Sequence, residues 1–236
     1  MFVPNDFFTP SFPTMDWLAG AWAVFRKDLR IELRTRYALN SLLLFVLGAL
    51  LLVLFAVGPQ PLSVRVQSAL LWIVMLFAAS IGLGRSFVAE QEQGTVLLLQ
   101  LNTRPSMVFA GKLLFNLLMV GALTGLAAGA FLFLLNISVP APGLLGLTLG
   151  AGAVGMASAT TLLAALVARA AREGPLLPVL LLPLLIPLLV SGTSATRKAL
   201  AGLPWIQAQD ELLTLVGFAG ATISASVVLF DYVWHE

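Results

Sequence analysis

A short polar stretch, FVAEQEQGTVLLLQLNTRPSMVFAGK from Phe87 to Lys112, separates two long apolar segments of the chain. It carries two acids, Glu90 and Glu92, and two bases, Arg104 and Lys112, in a protein with few charges. The centre of the stretch is a run of Val and Leu. An apolar patch rimmed by charge is typical of a binding surface, so the stretch is predicted to dock on a partner.

The local sequence predicts a short docking helix in the middle of this stretch. Gly94 ends the preceding helical turn, and Thr95 can cap the helix that follows. Leu97, Leu98 and Leu101 then form the apolar ridge of that helix. The alternative is a re-entrant turn that packs on the protein's own helices. The docking helix is the favoured interpretation.

The sequence lacks the residue patterns of most enzyme sites. It has one His, His235, and no Cys, which excludes disulfides, thiolate metal sites and cysteine nucleophiles. Neither an H-E-x-x-H motif nor a phosphate-binding G-x-x-x-x-G-K-[ST] motif occurs. Imidazole is a common axial ligand of haem iron, but a lone His beside the C-terminus favours a solvated tail residue. The chain is therefore predicted not to be an enzyme, with no metal site and no nucleotide site of its own.

The composition indicates a membrane protein. Hydrophobic residues make up 59% of the 236 residues and charged residues 10%, and the mean hydropathy is +0.99. A soluble domain carries about 25% charged residues. The net charge of +2 is too small to suggest nucleic acid as a partner.

Six segments are apolar enough to cross a bilayer as helices, which requires about 20 residues each. The fifth is short and contains Pro178, Pro183 and Pro187, which remove backbone donors and predict a kinked or broken helix. The predicted fold class is an all-α polytopic membrane protein with six transmembrane helices. The segments are Leu39–Val57, Leu62–Gly84, Met107–Leu135, Gly143–Val167, Leu176–Val190 and Leu212–Tyr232.

Basic residues divide unevenly between the two sides of these spans. With the N-terminus inside, ten Lys and Arg residues are cytoplasmic, and only Arg65, Arg197 and Lys198 lie outside. The positive-inside rule therefore predicts that both termini are cytoplasmic. No ionisable group is placed near the middle of a span, which argues against a proton- or ion-coupled carrier. The predicted outer loops lie near Gly58–Pro61, Asn136–Pro142 and Ser191–Asp210.

The segment before the first span is predicted to be an amphipathic helix that lies in the membrane interface. One of its faces is apolar, and the opposite side is basic and suits anionic headgroups. The alternative is a plain basic flank without a mechanical role. The apolar residues are Leu18, Trp22, Phe25, Leu29 and Leu33, and the basic residues are Arg26, Lys27, Arg30 and Arg34.

Small residues recur at every fourth position in the third and fourth spans, a spacing that lets helices approach closely. We expect these residues to pack inside one subunit rather than in a dimer contact. Five aromatic residues are assigned to the two interfacial belts of the membrane. The small residues are Gly121, Gly125, Gly129, Gly146 and Gly150, and the aromatic residues are Tyr37, Trp72, Trp205, Tyr232 and Trp234.

Residues 1–15 do not have the basic segment and apolar core of a signal peptide. They are rich in Phe and Pro and are expected to be a disordered extension or the product of a mis-assigned start codon. Residues 16–236 are predicted to form a single six-helix permease domain.

Several motifs together resemble the CcmB family, whose members are membrane subunits of the ABC-type haem exporter in cytochrome c maturation. The resemblance covers the chain from about Asp16 to Glu236. The motifs are FRKDLRIELRTRYALNSLLLF (Phe25–Phe45), GRSFVAEQEQGT (Gly84–Thr95), FAGKLLFN (Phe109–Asn116), LPVLLLPLLIPLLVSG (Leu177–Gly192) and the terminal DYVWHE.

The resemblance implies a permease of the ABC-2 exporter type in the bacterial inner membrane, with haem as cargo and no tightly bound cofactor. It implies a CcmA-type ATPase on the cytoplasmic side, CcmC-type and CcmD-type membrane proteins, and a second copy of the chain. The stretch that includes Glu90 and Glu92 is then the coupling segment for the ATPase.

Two other functions remain open at this point. The first is an ABC-2 permease for another amphipathic cargo, such as a lipid or a drug, which would have the same fold. The second is a non-transporting scaffold that holds the haem-handling proteins together. A scaffold should tolerate an inactive ATPase, whereas a permease should not.

Overall fold

The described residues of the computed structural model are 14–58, 62–82, 104–169 and 176–235. They form seven α-helices and one short 3-10 helix, without a strand in these ranges. The predicted extension mostly precedes this part, although Thr14 and Met15 already belong to the first helix. The helices are α1 (Thr14–Thr35), α2 (Tyr37–Val57), α3 (Val64–Gly82), α4 (Pro105–Leu134), α5 (Pro142–Arg169), α6 (Leu176–Leu200), the 3-10 helix (Trp205–Ala208) and α7 (Gln209–His235).

Helices α2 to α7 correspond to the six predicted spans. Five of them are long and apolar enough to cross a membrane, and α3 has a shorter apolar stretch, Val64–Ser80. The prediction of an all-α polytopic membrane protein is confirmed.

Helix α5 lies at the centre of the bundle. Within its apolar window 72% of the residues are buried, against 17% for α2 and 22% for α7. Helix α5 packs against α4, α6 and α7. In a membrane the apolar driving force between helices is weak, and small polar contacts hold them together: Ser158 on α5 and Thr222 on α7 place their hydroxyl oxygens 2.6 Å apart.

Helices α4 and α6 end in the same way, with one residue in the left-handed conformation. Asn136 (φ 49°) follows α4 and Gly202 (φ 73°) follows α6. Beyond each of them, the backbone N–H of Ile137 or Leu203 bonds back to a carbonyl five residues earlier. This Schellman arrangement satisfies carbonyls that would otherwise be orphaned at the helix end.

Helix α6 is longer than the sequence predicts. It is continuous through Pro183 and Pro187, so the span is not broken. It continues ten residues beyond Val190, and the predicted outer loop from Ser191 to Asp210 is therefore wrong for its first half. Both prolines lie on the exposed side of the helix, and the kink itself stays a prediction.

Trp72 is not part of an interfacial belt, and that prediction is wrong. Its side chain is fully buried on α3, and its indole N–H donates to Thr196 Oγ1 on α6 at 2.9 Å. Gly152 on α5 and Gly192 on α6 lie against the ring, and a Cβ on either would overlap it. Three helices therefore meet around one indole because two of them carry glycine there.

The predicted packing of the regularly spaced glycines within the subunit is also wrong. A Cβ added to Gly121, Gly125 or Gly129 on α4, or to Gly146 or Gly150 on α5, would meet no described atom within 4 Å. These five positions lie on the outer surface of the bundle. The glycines that do allow close helix contacts are elsewhere, at Gly20, Gly111, Gly152, Gly155 and Gly192.

Candidate functional site

The junction between α1 and α4 holds the charged contacts that are most deeply buried in the described residues. Helix α1 turns one face toward the bundle, and this face carries Ala21, Val24, Asp28 and Glu32, all buried. These residues follow one another at intervals of three or four, which places them on one side of a helix. The face lies between the apolar and the basic faces predicted from the sequence, so α1 has three faces.

Two glycines let α1 and α4 approach each other closely. A Cβ on Gly111 of α4 would lie 2.6 Å from the carbonyl oxygen of Ala21 and 2.7 Å from Cβ of Val24. A Cβ on Gly20 of α1 would lie 2.7 Å from Sδ of Met107. At Gly111 the neighbours are a backbone oxygen and a Cβ, which leave no space for a larger residue, so the backbones are held at the small separation that glycine permits. At Gly20 the neighbour is the flexible Met107 side chain.

A buried ion pair lies directly beside this close approach. Lys112 of α4 is fully buried, and its Nζ lies 3.3 Å from Oδ2 of Asp28, whose side chain is 8% exposed. The other carboxylate oxygen of Asp28 lies 3.3 Å from Nζ of Lys27, which is partly exposed. A charge in such surroundings is stable only when it is paired and hydrogen-bonded, and both oxygens of Asp28 have a cationic partner.

Glu32 connects α1 to α2. Its Oε1 accepts the backbone N–H of Leu39 at 2.8 Å, one of the orphan donors in the first turn of α2. Arg36, the single residue between the helices, is left-handed (φ 53°, ψ 20°). Its N–H donates to the carbonyl of Glu32 at 2.6 Å, and its own carbonyl accepts from Asn40 at 3.0 Å. The single residue of this turn therefore has both its backbone N–H and its carbonyl in hydrogen bonds.

A polar contact lies one turn beyond Lys112 on the same side of α4. Asn116 is fully buried and donates through Nδ2 to Oγ1 of Thr161 on α5 at 2.8 Å. Its Oδ1 has no partner among the described residues, nor does Oγ1 of Thr124 two turns further along. Polar side chains at 112, 116 and 124 thus follow the inner face of α4 from α1 toward α5.

Within the described residues, most of the other two faces of α1 is exposed. Trp22, with its ring 4.9 Å from that of Phe25, lines an apolar groove of about 390 Å³ against α4. Arg26, Arg30 and Arg34 are exposed on the basic side, whereas Lys27 pairs with Asp28. This arrangement suits a helix at a membrane surface, and that location stays a prediction.

The predicted coupling stretch lies outside the described residues, in the gap from 83 to 103. The gap begins after Gly82 of α3 and ends at Arg104, immediately before Pro105 opens α4. The docking role of the stretch therefore stays a prediction. The residues of that prediction are Glu90, Glu92, Gly94, Leu97, Leu98 and Leu101.

The end of the bundle opposite α1 carries a second Lys–carboxylate pair. Lys198 near the end of α6 lies 2.5 Å from Oε1 of Glu211 in the first turn of α7. The same oxygen accepts from Ser194 at 2.8 Å, and Lys198 also donates to the carbonyl of Gln207 at 2.6 Å. This pair closes the short connection from α6 to α7 and is partly exposed.

The sequence prediction treated Lys112 as the last residue of the polar stretch and did not recognise its burial or its partner. Asp28 was overlooked because four basic residues surround it in the sequence of α1, so the segment was interpreted as a basic face. The available signal was an acid on the polar side of α1, together with a lone Lys that follows Gly111 inside an apolar helix. An isolated charge in such a helix needs a partner.

Comparison with known proteins identifies the family. The family model described as CcmB protein matches residues 19–230. A curated relative from Bradyrhizobium diazoefficiens, named "Heme exporter protein B", is 35% identical over 76% of this chain and 82% of its own length. Proteins of the same name from Rhodobacter capsulatus and Paracoccus denitrificans are each 33% identical, over 86% of this chain and 92% and 91% of their lengths. A match that includes most of α1, the buried pair and nearly all of the six spans makes this chain a member of the CcmB family.

Proposed function

We propose that the chain is the membrane permease subunit of an ABC-type exporter that serves cytochrome c maturation, in which haem is delivered to, or released with, a haem chaperone. The family match over residues 19–230 is the observation that carries this proposal. The six apolar helices and the relatives named for haem export support it. Haem is the cargo in this proposal, and no resident cofactor is needed.

The energy for export comes from a CcmA-type ATPase that binds the end of the bundle carrying α1. The protein lies in the bacterial inner membrane. The α1 end and both termini face the cytoplasm, as the distribution of basic residues predicts. CcmC-type and CcmD-type membrane proteins and a second copy of the chain complete the assembly. Exposed Arg26, Arg30 and Arg34 on α1 are consistent with a surface that meets anionic headgroups.

The place of residues 83–103 in the chain supports them as the segment through which the ATPase moves the permease. This segment connects the end of α3 to the start of α4, so a partner that displaces it moves two spanning helices at once. Its acids, Glu90 and Glu92, give an ATPase charge-specific contacts, and Leu97, Leu98 and Leu101 give it an apolar ridge. Buried apolar anchors supply most of the energy at such interfaces, and charges determine register and partner choice.

Reversal of the two acids tests this proposal. The double variant Glu90→Lys, Glu92→Lys is expected to insert normally but to lose the ATPase on co-purification in mild detergent, and cytochrome c maturation should fail. Loss of a favourable charge pair and gain of a repulsive one cost on the order of 2–5 kcal/mol at an interface. Asp210→Lys, which reverses an exposed acid at the opposite end, is the matched control and should bind and mature normally.

The outcomes separate the competing functions. Normal ATPase binding and normal maturation in the double variant would contradict coupling through this segment. Normal maturation with a catalytically dead ATPase would instead favour a scaffold. Normal maturation in cells that lack the chain would favour a permease for another amphipathic cargo.

A further inference from the structure

We infer that Asp28, Lys112 and Glu32 are positioning residues that join α1 to the starts of α4 and α2, so that these three segments move as one rigid unit during transport. This inference rests on the proposed function, because it assigns the route by which a movement of residues 83–103 reaches the first spanning helix. None of the three residues needs to contact cargo or ATP.

The first step of the route is the join between residues 83–103 and α4. Arg104 is extended (φ −77°, ψ 147°), and Pro105 occupies the first helical position. The Arg104 carbonyl already accepts the N–H groups of Met107 at 3.0 Å and Val108 at 3.3 Å. Helix α4 therefore begins immediately after Arg104, and a displacement of Arg104 is a displacement of the end of α4.

The second step is the contact between α4 and α1. It involves the first two turns of α4, within about 10 Å of its start at 1.5 Å per residue. One of the contacts is a backbone approach that glycine alone permits, one is a glycine against a methionine side chain, and one is a hydrogen bond between exposed side chains. The contacts are Trp17 Nε1 to Ser106 Oγ (2.9 Å), Gly20 against Met107, Gly111 against Ala21 and Val24, and Lys112 Nζ to Asp28 Oδ2 (3.3 Å).

The ion pair adds something that the apolar contacts lack. The apolar contacts set the separation of the two helices. A buried Lys112 that shifted along α1 by one turn would leave the Asp28 carboxylate with only its Lys27 contact, in a place where lost charge pairing is costly. The pair therefore fixes both the rotation and the register of α1 on α4.

The third step passes from α1 to α2. Glu32 is 8% exposed and holds the N–H of Leu39, one turn after Asp28 on the same face of α1. The single left-handed residue Arg36 joins the two helices. With its carboxylate on α2 and its backbone in α1, Glu32 fixes the angle between them. A tilt of α4 thus reaches α2 without passing through the centre of the bundle.

A disulfide tests whether α1 and α4 stay together. The chain contains no Cys, so Gly20→Cys with Met107→Cys introduces one pair. The Met107→Cys change removes Sδ, the atom that a Cβ at residue 20 would approach too closely. The cysteine sulfur takes the place of the Met107 Cγ, which lies 3.6 Å from the position of that Cβ. The oxidised complex, with its ATPase, is expected to keep the parent rates of ATP hydrolysis and haem transfer. A large loss on oxidation that reductant reverses would overturn the inference. The parent treated with the same oxidant is the control.

A neutral pair tests whether the charges position the helices. Asp28→Asn with Lys112→Met removes both members of the buried pair together, so neither charge is left facing a missing partner, and assembly with the ATPase should survive. The haem transferred per ATP hydrolysed is expected to fall about tenfold, and the charge-preserving Lys112→Arg should retain it. Lys198→Met with Glu211→Gln, the same change at the opposite end, is the matched control and should leave this ratio near that of the parent.

The two readouts separate this inference from the proposed function. If the parent complex hydrolyses ATP but moves no haem, the proposed cargo is wrong. The effect of the disulfide on ATP hydrolysis then still decides whether α1 and α4 separate. If the neutral pair keeps the parent ratio of haem to ATP, Asp28 and Lys112 only stabilise the fold, and the inference fails.

Discussion

The two ends of the bundle each hold a lysine against a carboxylate, and the two pairs differ in burial and in span. At the α1 end, Lys112 is 0% and Asp28 8% exposed, and 84 positions separate them in the sequence. At the opposite end, Lys198 is 22% and Glu211 16% exposed, and 13 positions separate them. The first pair joins two helices that are far apart in the sequence, whereas the second closes a connection that the short chain segment already enforces.

The difference shows how the same chemistry serves two purposes. A partly exposed pair across a short connection gains little, because water competes for both ions and the chain limits their separation anyway. A buried pair is costly to form and more costly to break, so it specifies one arrangement of α1 on α4. Specification of this kind is useful where a movement must pass from one helix to another.

The largest effect is expected from Lys112→Met. It leaves Asp28 buried with Lys27 on only one oxygen, and loss of one member of a buried pair costs on the order of 3–5 kcal/mol. Adding Asp28→Asn should restore most of that stability. The free energy of unfolding, from denaturant titration of the purified protein in mild detergent, measures both. Strictly additive losses in the double variant would mean that the two residues do not interact.

A smaller effect is expected from Gly111→Ala. The new methyl group would lie 2.6 Å from the Ala21 carbonyl, so α1 must move away, and overpacking of this kind costs about 1–3 kcal/mol. Gly121→Ala on the same helix meets open space and should be neutral or stabilising by about 0.5–1 kcal/mol. The same titration compares them. Equal stability of the two variants would contradict the tight α1–α4 contact.

The smallest effect is expected from Lys198→Met at the opposite end. Ser194 still donates to Glu211 after the change, and pairs with this much solvent contact contribute about 0–1 kcal/mol. Raising the salt concentration should weaken the parent pair measurably and leave the variant unchanged. A loss as large as that of Lys112→Met would remove the distinction between the two ends.

The fold could be predicted from the sequence because each span needs only a run of apolar residues. Composition did not predict that the last ten residues of α6 are helical. They include Ser194, Thr196, Arg197 and Lys198, which lower the hydropathy, yet Thr196 and its neighbours Ala195 and Ala199 are buried against the bundle. Burial in the protein, rather than in lipid, allows such residues in a long helix.

The α1 helix and two of its faces could be predicted from the periodicity of Trp22, Phe25, Arg26 and Arg30. The third face could not be predicted, because Ala21, Val24 and Asp28 are buried by contact with α4, which lies far away in the sequence. Periodicity within a segment reports how the segment divides apolar from polar residues. It carries no information about a carboxylate whose partner lies 84 positions away.

The burial of Trp72 has a consequence for the order in which the chain is synthesised and inserted. Its N–H partner, Thr196, lies 124 positions later, and the two glycines against its ring, Gly152 and Gly192, also come after it. At 5–20 residues per second, the ribosome adds those 124 positions in about 6–25 s. During that interval α3 is in or near the membrane with an unpaired indole and a shorter apolar stretch than the other five spans. We therefore expect α3 to become fixed in the bundle only after α6 has been made, so that the last third of the chain sets the place of its second span.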